Sequence, residues 1–144
     1  MSLKSLSGCW MKIITLSAAL VLICITADSQ NLIGYKAEDI IKYMKVNRKE
    51  MNYNDVVNNK FSYLKYSDNL ENQTILFFLG PDAVCKSERI ICDVSLKSSK
   101  VREYNSQYKP IGQNKWVDRR GDKTYIVELL DGKWSCVVSI ESEK

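Results

Sequence analysis

The feature that most constrains the fold is an alternation near the C-terminus. Trp134, Cys136, Val138 and Ile140 fall on one side of an extended chain, and Ser135, Val137, Ser139 and Glu141 on the other. This is the period-two pattern of a strand with one face in a core and one largely in water. Just ahead stands Asp131-Gly132, a dipeptide that favours tight hairpins, and before it the β-branched and aromatic run Thr124 to Leu130. Trp116 to Arg119 reads as a further strand, parted from that run by the turn residues Arg120-Gly121-Asp122. The C-terminal third is therefore a set of antiparallel strands with short connections.

The middle of the chain repeats the theme. Phe61 to Tyr66 and Thr74 to Leu79 are strand-like, with Ser67 to Asn72 between them and Gly80-Pro81-Asp82 after them. Val84 to Val94 reads as a third strand, with Val84, Ile90, Cys92 and Val94 on one face and Cys85, Ser87 and Arg89 on the other, although its middle, Lys86-Ser87-Glu88-Arg89, suits a helix equally well. A helix precedes each set. Lys36 to Arg48 carries Ala37, Ile40, Ile41 and Met44 at the spacing of one helix face, with Glu38 and Asp39 in the first turn, where the helix dipole favours negative charge. The second helix begins near Ser98-Ser99, aligns Val101, Tyr104 and Tyr108, and stops at Pro110 with Gly112 beyond. Glu50 to Lys60 holds four asparagines, whose side chains compete for backbone hydrogen bonds, and reads as a loop.

The expected architecture is α+β: a largely antiparallel sheet of about six strands in helix, three-strand, helix, three-strand order, with two helices packed on one face. Thr74-Ile75-Leu76 and Thr124-Tyr125-Ile126 stand fifty positions apart in corresponding strands, so an internal repeat is one reading and two unrelated halves under the same packing rules is the other.

The N-terminus reads as a secretory signal. Lys4 and Lys12 precede the apolar stretch Ile13 to Ile25, shorter than the ~20 residues a spanning helix needs, and Ala27-Asp28-Ser29 supplies small residues for cleavage before Gln30. Residues 1–29 are then the leader and 30–144 one exported domain, periplasmic or extracellular, with no transmembrane segment after cleavage. That domain keeps 19 of 21 basic and 16 of 17 acidic residues, a formal charge of +3, too small and too interspersed to point to nucleic acid.

Catalytic signals are sparse. The chain has no histidine, the commonest general base and metal ligand. Its glycines are isolated, so no phosphate-binding loop forms, and neither a metal nor another cofactor is expected. Lys97-Ser98-Ser99-Lys100 is a helix entry rather than a serine-lysine pair, and Asp118, Asp122, Glu128 and Asp131 lie at strand ends and turns, where acidic residues serve solubility. Binding is favoured over catalysis. The alternatives are a small cell-envelope hydrolase using a carboxylate or serine, and a small-ligand pocket between sheet and helices.

Three cysteines remain beyond the leader, in a compartment where disulfides persist. A continuous strand holds Cys85 and Cys92 roughly 23 Å apart, at ~3.3 Å per residue, on opposite faces, beyond the reach of a bridge. Cys92 and Cys136 share the apolar side of their strands and are a candidate buried pair, bridged or packed as thiols. The run Thr74 to Leu79 is apolar on both sides, with Ile75, Phe77 and Leu79 facing one way and Thr74, Leu76 and Phe78 the other. Its second face needs a cover: either the segment with Leu32 and Ile33 or the asparagine-rich loop, or else a partner, for which Tyr66 and Phe78 are the candidate contact residues.

The segments Tyr63-Leu64-Lys65-Tyr66, Leu76-Phe77-Phe78-Leu79, Val84 to Asp93 and Gly132-Lys133-Trp134 resemble those of small exported bacterial proteins of unassigned function. In layout the twofold helix-plus-sheet order is similar to PepSY-like and β-lactamase-inhibitor-like periplasmic domains. That resemblance implies binding to a protein or peptide of the cell envelope rather than catalysis.

Overall fold

The computed structural model describes residues 31–54 and 62–143. The leader and its cleavage site, most of the asparagine-rich loop and Phe61 lie outside the described residues. The order is α1 (Ala37–Asn47), β1 (Met51–Asn54), β2 (Tyr63–Asp68), β3 (Gln73–Leu79), β4 (Cys85–Asp93), α2 (Lys97–Gln107), β5 (Lys109–Gly112), β6 (Lys115–Arg120), β7 (Lys123–Asp131) and β8 (Ser135–Ser142), with a 3-10 turn, Val94–Leu96, leading into α2. All eight strands form one sheet in the order β1-β2-β3-β4-β8-β7-β6-β5, and every neighbouring pair is antiparallel.

The expected six-strand layout is therefore corrected to eight strands, four in each half. The two additions are the outermost strands, and each is only four residues long. In β1 the asparagines do not break the strand because their side chains bond across it: Asn54 Nδ2 donates to Ser67 Oγ at 3.1 Å and Asn52 Nδ2 to Asn69 Oδ1 at 2.6 Å. Met51 meanwhile enters the core. In β5 the proline taken as a helix stop, Pro110, sits opposite Trp116 on an edge strand, where its missing N–H costs no interior ladder bond.

The halves run alike, a helix and then a four-strand meander, and they meet where β4 pairs with β8. A shift of fifty positions carries the first residue of β3 onto that of β7, Gln73 to Lys123, and that of β4 onto that of β8, Cys85 to Ser135.

One face of the sheet is buried. Leu64, Tyr66, Ile75, Phe77, Ile90, Cys92, Trp116, Val127, Leu129, Cys136, Val138 and Ile140 form a single core with Ile40 and Met44 of α1 and Tyr104 of α2. The Tyr104 ring lies 5.5 Å from that of Trp116, whose indole N–H donates to Asn105 Oδ1 at 2.7 Å. The segment Asn31 to Ile33 is buried in this same layer. Arg120 fixes it, donating to the Asn31 carbonyl at 2.6 Å while pairing with Asp118 at 2.9 Å. Leu32 and Ile33 therefore belong to the helix side and do not cover the second face of β3.

Two local features depart from the sequence pattern. A bulge makes Ser87 pair with Phe78 but Cys85 with Leu79, leaving Lys86 as the extra residue. The added residue turns Cys85 onto the buried face, so it shares a side with Cys92 instead of opposing it. At the β7–β8 connection the Gly132 N–H donates to the Ser135 carbonyl at 2.9 Å, and a Cβ at Gly132 would stand only 2.6 Å from that oxygen. The strand consequently starts at Ser135, and Trp134, expected in the core, is 75% exposed.

Neighbours in β3 should separate the two faces energetically. Phe77→Ala removes a ring that is 1% exposed and is expected to cost about 3–5 kcal/mol in urea unfolding. Phe78→Ala, on the other side, is expected to cost about 1 kcal/mol.

Candidate functional site

Strand alternation places half of the sheet's side chains on the face without helices, and the register arranges them in rows. One row runs Tyr63, Phe78, Ser87, Glu141, Ile126, Val117. The central row runs Lys65, Leu76, Arg89, Ser139, Glu128, Lys115. A third runs Ser67, Thr74, Ile91, Val137, Leu130.

These rows differ in chemistry along the face. Ile91 and Leu130 are exposed and Leu76, Phe78 and Val137 half-buried, an apolar floor beyond what a solvated sheet requires. Toward β1 the floor gives way to a polar corner, where Asn54, Ser67 and Thr74 are joined by 3.1 Å contacts. In the middle stands Arg89. Its guanidinium lies 5.5 Å from the centre of the Phe78 ring and forms no ion pair with any described residue. Lys115, in contrast, is 3.9 Å from Glu128. Beside Arg89 is a hollow of about 260 Å³ between β4, β8 and the β7–β8 turn, walled by Leu130, Asp131, Gly132, Ser135, Val137 and Ser139. It has room for one or two side chains, less than a drug-sized ligand requires.

Directly behind Arg89, on the buried face, lies Glu88. It is 4% exposed between Phe77 of β3 and Ile140 of β8. Removal from water pushes its carboxyl from 4.5 up to about 7, a rise limited by the Leu32 N–H that donates to it and by the charges of Arg48, Arg120 and Lys100. Its Oε2 has no hydrogen-bond partner, nor has the hydroxyl of Tyr104, whose ionisation is opposed by burial and by the nearby Glu103 and Glu88.

The sequence-derived candidates are divided by this geometry. Phe78 is on the open face, its ring 5.9 Å from that of Tyr63. Tyr66 is a correction: it pairs with Ile75 on the buried face, is 4% exposed and contacts the Phe77 ring edge-on at 6.1 Å, so it offers nothing to a partner. Cys92 and Cys136 are register partners on the buried face, with Sγ atoms 2.7 Å apart. Three of the four carboxylates considered for hydrolysis are paired, Asp118 with Arg120, Glu128 with Lys115, and Asp131 with Lys97 at 2.8 Å, and the fourth, Asp122, is exposed in the β6–β7 turn. Among the described residues no three histidine, cysteine or carboxylate side chains gather as metal ligands, and no helix is long and apolar enough to cross a membrane. Sequence reasoning missed Glu88 and the central place of Arg89. The signal was available in Lys86-Ser87-Glu88-Arg89, because a charged run within an apolar strand forces at least one charge toward the core.

No protein-family model, curated protein or solved structure matches this chain.

Glu88 makes stability depend on pH with a definite sign. Its folded pKa lies above its unfolded one, so its contribution is complete below pH 4.5 and is lost as pH rises through 7. Urea unfolding should show the protein less stable at pH 8 than at pH 5 by about 3 kcal/mol, and Glu88→Gln should abolish most of that difference. Glu50, Asp82 and Asp93, whose pKa values are lowered, stay ionised across this window and leave the comparison clean.

Proposed function

We propose that this protein is an exported binding module whose uncovered sheet face receives an acidic, partly apolar segment of a protein partner in the cell envelope. The observation that carries the reading is Arg89: an exposed guanidinium without a counter-ion among the described residues, at the middle of an eight-stranded sheet, flanked by Leu76, Phe78, Ile91 and Val137 and by a hollow of side-chain size. A partner carboxylate supplies the missing charge. Its apolar neighbours cover the floor, and desolvation strengthens the ion pair they surround. Lys65 in the same row and Arg119 near the far end of the face add positive potential, and neither forms an ion pair with a described residue.

Export belongs to the proposal and rests on the apolar stretch Ile13 to Ile25 behind Lys4 and Lys12. The similarity in layout to PepSY-like and β-lactamase-inhibitor-like domains, read from the sequence, is also part of it. The competing pocket reading requires α1 to stand off the sheet, whereas Ile40 and Met44 are packed into the core.

Selection from a displayed peptide library against the protein is expected to enrich sequences with Asp or Glu beside large apolar residues. Binding of a selected peptide should weaken about 30-fold or more in Arg89→Glu, and should weaken in added salt, with the urea midpoint little changed. Neutral or basic winners, or affinity indifferent to Arg89→Glu, would overturn the proposal. So would a concentration-dependent dimer, seen by sedimentation, that the same substitution dissolves, because the occupant would then be a second copy.

A further inference from the structure

We propose that Cys92 and Cys136 form a disulfide that bolts the two four-strand halves together at the β4–β8 junction. The two residues are direct register partners in that junction, both are buried, and their Sγ atoms stand 2.7 Å apart. Residues opposed in antiparallel strands have Cα atoms about 4.5–5.5 Å apart, within the ~4.4–6.8 Å span that a disulfide bridges. Their other sulfur contacts are long and weak: Cys92 Sγ to the Cys136 carbonyl at 3.5 Å and Cys136 Sγ to the Asp93 carbonyl at 3.8 Å. Among the described residues no other thiol competes for either sulfur. Cys85, seven residues along β4 from Cys92, donates its thiol to the Ser87 carbonyl at 3.4 Å and is out of reach of both.

The oxidant is a small disulfide such as oxidised glutathione. One cysteine thiolate attacks the glutathione disulfide, forming a mixed disulfide and releasing one glutathione thiolate. The second cysteine thiolate attacks the protein sulfur of that mixed disulfide, which closes the Cys92–Cys136 bond and expels the second glutathione. Two electrons pass from the cysteines to glutathione, and the two thiol protons end on the two glutathione thiols. Timing follows from burial, since the folded core excludes glutathione and pushes the Cys92 thiol up to about 12. The bond therefore forms while the chain is folding, before the junction dries, and once enclosed it is shielded from reductants.

The test is to unfold the reduced protein in urea, refold it with reduced and oxidised glutathione, and compare it with protein refolded in a reductant. The expected product is lighter by two hydrogens, yields a Cys92–Cys136 peptide in an unreduced digest, and melts about 10 °C higher than the reduced form. Cys85→Ser should retain the bridge and the shift, which keeps the test decisive even where Cys92→Ala folds poorly. Free thiols at Cys85, Cys92 and Cys136 after oxidative refolding, a bridge that includes Cys85, or equal melting points for the two forms would overturn the proposal.

Discussion

The pairing of β4 with β8 is the constraint on which the rest of the structure depends. Among the described residues it is the sole ladder between the two meanders, and its pairs Ile90–Val138 and Cys92–Cys136 are as deeply buried as any. Each half alone is a four-stranded sheet with a helix of eleven residues, too little to close a core. Joined, they share one continuous buried face. The Asn31–Ile33 strap adds a second tie between halves, because the same short segment meets Glu88 of β4 and Asp118 and Arg120 of β6.

Joining the halves edge to edge also leaves the sheet half covered. Both helices, the strap and every residue of the main core lie on one side, so the other side must be stabilised by its own side chains or by something else. Toward β1 the chain solves this locally with hydrogen-bonded asparagine, serine and threonine. Toward the centre it does not: apolar side chains surround a guanidinium whose only described close contact is an aromatic ring. The contrast within one face makes the central patch informative, since a merely solvated sheet would carry the polar solution throughout.

What could be read from the sequence was governed by burial. The helices and the six inner strands announce themselves because one side of each is in the core, and that imposes a period of two or of 3.6. β1 and β5 each have one neighbour, few buried residues and unfavourable composition, so their strand character comes from the adjacent strand and not from their own residues. Errors of facing have a different origin. A single extra residue, Lys86, reverses the side on which Cys85 lies, and no alternation pattern contains that information. Tyr66 was assigned by its aromatic character alone, although its register with Ile75 puts it in the core. The open face itself was foreshadowed by the two-sided apolarity of Thr74 to Leu79, but its centre was not, because Arg89 resembles any solvent-facing arginine until its neighbours are known.

The like element order of the two halves isolates what is unusual about that centre. With the shift of fifty that superposes β4 on β8, Glu88 corresponds to Val138 and Arg89 to Ser139, and Arg89 is also the register partner of Ser139. The middle of the junction is therefore a place where each half presents the same position, and the two halves answer it differently. β8 gives the ordinary answer, an apolar side chain inward and a small hydroxyl outward. β4 departs on both sides at once, with a carboxylate buried at the cost of desolvation and, above it, a cation that pairs with no described carboxylate. Val138 and Ser139 show the apolar and hydroxyl pair that the corresponding position takes in the other half. The Leu32 N–H of the strap and the charges of Arg48, Arg120 and Lys100 that converge on Glu88 offset the cost of its burial, while Arg89 above it is the feature on which the proposed recognition of a partner's carboxylate rests.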